Sequence, residues 1–227
     1  MTKDFTWDQL NYWQSGEWQV VQERLDDRDK RVELYNPSRE LMFSALDATP
    51  YATTKVAVIG QDPYPDRHCA CGIAFSVPNG TIPAGVMIPP TLDNIFKEYV
   101  NDLHYPYPTR TDLLPWASKG VLLWNAIPSC GWRKSMSHDW PEWEPLTREI
   151  IARLSLKRDI VFAFMGGVAR RHTGFVNTTH NTVLETSHPV PRANIRSTQP
   201  FVGSRIFTRI NDALVQTHRK EPVDWRL

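Results

Sequence analysis

Four short apolar runs constrain this chain more than any other feature: Val56-Ala57-Val58-Ile59, Val121-Leu122-Leu123-Trp124, Ile160-Val161-Phe162-Ala163-Phe164 and Thr182-Val183-Leu184-Glu185. The first three are almost uninterrupted in hydrophobicity. That is the signature of strands covered on both faces of a parallel sheet, not of strands with one wet face. Helical patterns lie between and beyond them. Leu146, Ile150, Ile151 and Leu154 make one apolar stripe, and Ile206, Phe207, Ile210, Ala213 and Leu214 make another. Both read as core faces. Thr6 followed by Gln9 predicts a capping box for an N-terminal helix, and Thr91 is placed to cap a helix over 92–100. Strand and helix alternating at this spacing predict an α/β three-layer architecture.

A chain of 227 residues suits one domain or at most two small ones. The prolines cluster at 78–90, 106–115, 141–145 and 189–200, as ordered loops do, and no segment reads as a linker. The expectation is a single domain over 1–227.

With 41% hydrophobic and 22% charged residues the chain is not disordered. No apolar run approaches the ~20 residues of a membrane helix, and the N-terminal MTKDFTWDQL has no signal-peptide core. An intracellular, non-secreted protein that is not membrane-bound is expected. The net charge of +1 means that any nucleic-acid partner must be met by local positive charge. Cys69, Cys71 and Cys130 read as reduced thiols. His68-Cys69-Ala70-Cys71 resembles half of a metal corner, but no second Cys/His cluster supplies the other ligands of a structural zinc. No metal is expected.

Ligands of open α/β sheets sit beyond the carboxyl ends of the strands. The first run ends in Gly60-Gln61-Asp62-Pro63-Tyr64-Pro65, the second in Asn125, the third in Met165-Gly166-Gly167 and the fourth in Ser187-His188-Pro189-Val190-Pro191-Arg192. Each polar residue has an ordinary structural explanation when taken alone. Asp62 could cap a turn, Asn125 could hold a loop, His188 could be structural and Phe75 could be core. Taken together they suit cleavage of an N-glycosidic bond. A carboxylate serves a cationic sugar, a neutral imidazole an anionic leaving base, an amide the base edge and a ring the base face. Gly-rich phosphate loops and nucleophile elbows do not occur.

These segments resemble family 1 uracil-DNA glycosylases. So do Gly72-Ile73-Ala74-Phe75-Ser76, the run from Pro89-Pro90-Thr91-Leu92 through Asn94 to Glu98, Gly120–Ala126, and the terminal Pro222-Val223-Asp224-Trp225. The resemblance runs in order from about Tyr35 to the C-terminus. It implies a central four-stranded parallel sheet flanked by helices, and hydrolysis of uracil from DNA without metal or cofactor. Asp62 matches the carboxylate that positions water and stabilises the oxocarbenium-like sugar. His188 matches the histidine that bonds uracil O2, Asn125 the amide on the uracil edge, and Phe75 the stacking ring. Tyr64 matches the side chain that excludes a thymine methyl, and Gln61 belongs to the same loop. Pro89, Pro90, Thr91, Pro189 and Pro191 match the proline-rich loops that grip DNA.

The chain departs from the family pattern in places. Pro65 stands where the family has histidine, Val190 and Ala193 where it has serine, and Arg192 where it has a leucine wedge. The connection 194–200 is longer by about three residues. Arg192 is expected to fill the gap left by a flipped base or to pair with a phosphate, with Arg196, Arg205 and Arg209 supplying local positive charge.

The resemblance also implies a monomer that acts on single- or double-stranded uracil-containing DNA and is open to DNA-mimicking protein inhibitors. Two other functions stay open at this point. One is a DNA-binding or polymerase-associated replication scaffold that keeps the fold. The other is a glycosylase or nucleoside hydrolase of shifted specificity.

Overall fold

The computed structural model describes residues 5–82, 87–190, 193 and 197–227. Its described strands are β1 (Tyr35–Asn36), β2 (Val56–Gly60), β3 (Val121–Asn125), β4 (Cys130–Gly131), β5 (Val161–Met165) and β6 (Thr182–Thr186). β1 and β4 form a short antiparallel ladder. The other four make one parallel sheet in the order β3-β2-β5-β6. Every residue of β2, β3 and β5 is buried, which is why those runs are continuously apolar. β6 lies at the edge and is only half-buried up to Thr186, which accounts for its more polar sequence.

Helices α1 (Gly16–Lys30) and α2 (Ser44–Ala48) precede the sheet. α3 (Pro90–Leu103) and α4 (Leu114–Ser118) connect β2 to β3, and α5 (Glu144–Lys157) leads to β5. The short α6 (Gly167–Arg170) leads to β6, and α7 (Ile206–Asp212) runs into a π turn over Ala213–Thr217.

Two aromatic layers sandwich the sheet. On one side α3, α4, α7 and the C-terminal segment meet through Tyr99, Trp116, Phe207 and Trp225. These groups share space with Val58, Leu123 and Met165 of the sheet. Trp124, the neighbour of Leu123, points to the opposite face, where its indole N–H donates to Thr147 Oγ1 of α5 at 2.9 Å. There Tyr12, Trp18 and Phe43 pack around Trp143. Of the N-terminal tryptophans, Trp7 is buried in the core, and Trp13 and Trp18 pack against it half-buried.

Two sequence expectations need correcting. Thr6 and Gln9 form the expected capping box, but the element it opens is a three-residue 3-10 turn, Trp7–Gln9, and not a long helix. The first long helix starts at Gly16, where Ser15 Oγ accepts from the Trp18 N–H at 3.2 Å. Helix α3 begins at Pro90 with Pro89 in the capping position, so Thr91 lies inside its first turn. A proline at the first helical position costs no hydrogen bond and presets φ, which lets the helix start earlier than the hydroxyl suggested. No helix among the described residues is long and apolar enough to cross a membrane.

Candidate active site

A cleft of about 940 Å³ opens beyond the carboxyl ends of the strands. It brings together Gln61, Asp62, Tyr64, Phe75, Thr91, Asn125 and His188, which lie up to 127 positions apart in sequence. Gly60 and Asn125 are register partners at the ends of β2 and β3. The loops beyond them are joined by bonds from Ala126 N–H to Gly60 O (3.2 Å) and Ile127 N–H to Gln61 O (2.9 Å).

A glycine is required at position 60. A Cβ there would lie 2.8 Å from Phe75 Cζ and 3.0 Å from Asn125 Oδ1. Phe75 itself sits at φ 65°, an uncommon conformation for a bulky side chain that tertiary packing must impose. Asn125 is 8% exposed, and its amide makes no hydrogen bond to a described residue. Its donor and acceptor are free for a planar ligand. Tyr64 donates its hydroxyl to the backbone Phe75 O at 3.0 Å, which fixes the phenol in place. Burial raises its pKa well above the usual value.

Asp62 accepts from three neighbours. Gln61 Nε2 reaches Oδ1 at 2.9 Å, Ser135 Oγ lies 3.1 and 2.9 Å from the two oxygens, and Met136 N–H reaches Oδ2 at 2.6 Å. Ser135 lines the cleft as well. Sequence reasoning misses it, because a serine in a polar turn seventy-three positions from Asp62 carries no signal.

His188 hangs from the loop after β6. Burial depresses its pKa to about 4, opposed by the charge of Asp62, so the ring is neutral at physiological pH. Val190 N–H donates to Nδ1 at 3.1 Å. Nδ1 is thus the acceptor, and the ring proton resides on Nε2. The loop is tied to α3 by Asn94 Nδ2, which donates to Pro189 O at 2.6 Å. Pro189 is buried. Gly166 allows the close approach of the histidine: it has φ 102°, and a Cβ would lie 2.9 Å from His188 Cβ.

Pro191, Arg192 and Arg196 lie outside the described residues. Arg205 and Arg209 do not line the cleft. Arg205 faces Asp102 at 3.8 Å, and Arg209 lines a separate concavity beside Glu185. Position in the sequence beyond β6 does not decide where an arginine points: Arg205 stands at the start of α7 and Arg209 within it. Among the described residues the cleft is lined instead by Arg170 of α6. Pro65 and Thr91 line it, whereas Pro89 and Pro90 stand back at the start of α3. Among the described residues no three His, Cys, Asp or Glu side chains are grouped to hold a metal ion. The three thiols are free, with burial pushing Cys69 to about 11 and Cys130 to about 12.

Comparison with known proteins adds relatives to this geometry. The family model described as the Uracil DNA glycosylase superfamily matches residues 46–214. A uracil-DNA glycosylase of Campylobacter curvus is 40% identical over 199 residues, covering 87% of this chain and 82% of the relative. The crystal structure of mimivirus uracil-DNA glycosylase superposes with a TM-score of 0.84 at 23% identity, over 95% of this chain and 86% of the other. A variant of the mimivirus protein, solved in complex with UGI, superposes with a TM-score of 0.84 at 22% identity, over 96% of this chain and 87% of the other.

Proposed function

The chain belongs to the uracil-DNA glycosylase superfamily, and from that premise we propose that it hydrolyses the N-glycosidic bond of uracil flipped out of DNA and leaves an abasic site. The observation that carries the reading is the meeting of Asp62, the neutral His188 and the unpaired Asn125 amide in one cleft. Flipping costs roughly a few kcal/mol, which contacts in the cleft must offset.

Phe75 takes the face of the base, and the Asn125 amide bonds its edge with one donor and one acceptor. Tyr64, held by its bond to Phe75 O, fills the space that a thymine methyl would need. As the bond from C1′ to the base nitrogen breaks, its electron pair stays on uracil, and the charge grows on O2. His188 Nε2–H donates there. The deoxyribose is left cationic, and Asp62 stabilises it and orients a water for attack at C1′. Water supplies the new C–O bond and releases one proton, and uracil takes up one. The charges on both fragments are met by protein groups, so the reaction calls for no metal and no cofactor.

The chain is read as one domain, which is supported by a contiguous apolar core from Trp7 to Trp225, and as a monomer, which the family resemblance implies. A DNA-mimicking protein inhibitor would occupy the same cleft.

The test is uracil release from single- and double-stranded oligonucleotides, each with one uracil, in EDTA, with thymine and cytosine controls. Release from uracil alone, lost in His188→Ala, is the expected result. Intact DNA binding with no release would overturn the reading in favour of a scaffold. Release of cytosine or thymine would overturn the proposed specificity.

A further inference from the structure

We propose that the turn Trp132-Arg133-Lys134 is a second nucleic-acid subsite, stacking an unpaired base and holding phosphates beside the nucleotide in the cleft, so that single-stranded DNA is favoured. This rests on the reading of the cleft given above.

The turn is built into the rim. Arg133 N–H donates to Pro65 O at 2.7 Å, and Pro65 lines the cleft. Trp132 N–H donates to Leu34 O at 2.9 Å, which fixes the other side of the turn. Two residues beyond Arg133, Ser135 holds Asp62. Three residues of chain span no more than about 11 Å, a distance a stacked strand covers in about three bases at 3.4 Å each.

The surface of the turn is unlike the rest of the molecule. Most of the protein's tryptophans lie in the core, but Trp132 is 41% exposed. The Arg133 guanidinium lies over its indole, 4.6 Å from the centroid. Indole and guanidinium are both planes on which bases stack. Arg133 adopts φ 58°, a left-handed conformation that a non-glycine residue enters only under constraint.

Charge complementarity selects the occupant. Arg67, Arg133 and Lys134 make no ion pair among the described residues, and all three are exposed. Glu33 pairs with Arg28, and Asp66, which keeps its charge, accepts from the backbone N–H of His68 and makes no ion pair to these cations among the described residues. An exposed π plane with a guanidinium over it and a second cation next in the turn suits a flexible polyanion that carries aromatic bases. In a duplex the bases are stacked on each other and cannot reach it.

Fluorescence anisotropy with labelled oligothymidylate, single-stranded and annealed to its complement, tests the proposal. Trp132→Ala should weaken single-strand binding about tenfold and duplex binding less than twofold. Trp132→Phe should retain most of the affinity. Lys134→Ala should weaken both and lower the salt slope by about one. Should Trp132→Ala fold poorly by circular dichroism, Trp132→Leu keeps the apolar bulk without the π face and should show the same tenfold loss. Single-strand affinity within twofold of wild type, or equal losses on both DNAs, would overturn the proposal. So would a self-association abolished by the same variants while DNA affinity is unchanged. The probe carries no uracil, so a failed release assay leaves this result readable.

Discussion

Asp62 and His188 face one cleft from strands β2 and β6, with β5 between them, and the protein holds them by different means. Asp62 is held by donors, two of which come from the 131–138 loop and one from its neighbour Gln61. His188 is held by exclusion. It has one backbone donor on Nδ1, a glycine at its back and enough burial to keep it uncharged down to about pH 4. A carboxylate that must stay an acceptor is surrounded by N–H and O–H groups, and an imidazole that must stay a donor is kept away from water. Environment, more than residue type, assigns the two roles.

Asp62→Asn probes the first plan most severely. It replaces the charge proposed to face the sugar with a dipole and should lower single-turnover uracil release by about 10³- to 10⁴-fold, near the upper range for a positioned acid or base. A loss under tenfold would mean that the carboxylate is not the group facing the sugar.

The two glycines separate the sides of the cleft. Gly166→Ala forces a Cβ to 2.9 Å from His188 and keeps an unfavourable φ, so kcat should fall by about a hundredfold. Gly60→Ala pushes on Phe75 and Asn125 instead and should raise KM about tenfold with a smaller change in kcat. If both variants moved the same constant, the division into a reading side and a reacting side would collapse.

Acidity tests the second plan. Release should be nearly flat with pH down to about 5 and fall as the medium approaches the His188 pKa of about 4. Stability obeys the same linkage. The unfolded histidine binds a proton below its ordinary value of about 6.5, whereas the folded one resists until about 4, so stability declines as pH falls through that window. His138, pushed by burial to about 3, adds to the decline in wild type and variant alike. His188→Ala should therefore lose less stability across the window in denaturant titrations.

Ser135→Ala should have the smallest effect, about a five- to tenfold loss of rate, because Gln61 and Met136 still hold the carboxylate. Unchanged kinetics would leave Ser135 a spectator.

Much of this is legible in the sequence, for physical reasons. Strands buried on both faces can only be written as apolar runs, so β2, β3 and β5 stand out. Asp62 and Asn125 stand out because each lies at or just past the carboxyl end of such a run, and His188 because it follows the fourth, more polar strand, where an open sheet presents its ligands. The N-terminal helix is not legible. Val21 and Leu25 are the only residues of α1 that are buried, so its apolar stripe is a single i, i+4 pair among charges. Ser135 and Asn94 owe their places to tertiary contacts with Asp62 and Pro189, which no local pattern encodes. Arg205 and Arg209 stand apart from the cleft lining, because distance along the chain does not give the direction of a side chain.

The pairing of Gly60 with Asn125 across β2 and β3 has a practical meaning for redesign. The hydrogen that stands in place of a side chain at 60 is what leaves room for the ring at 75 and the amide at 125. These three positions therefore behave as a single dial: a pocket rebuilt for another base must turn all of them together, and libraries that vary them one at a time will sample mostly collisions.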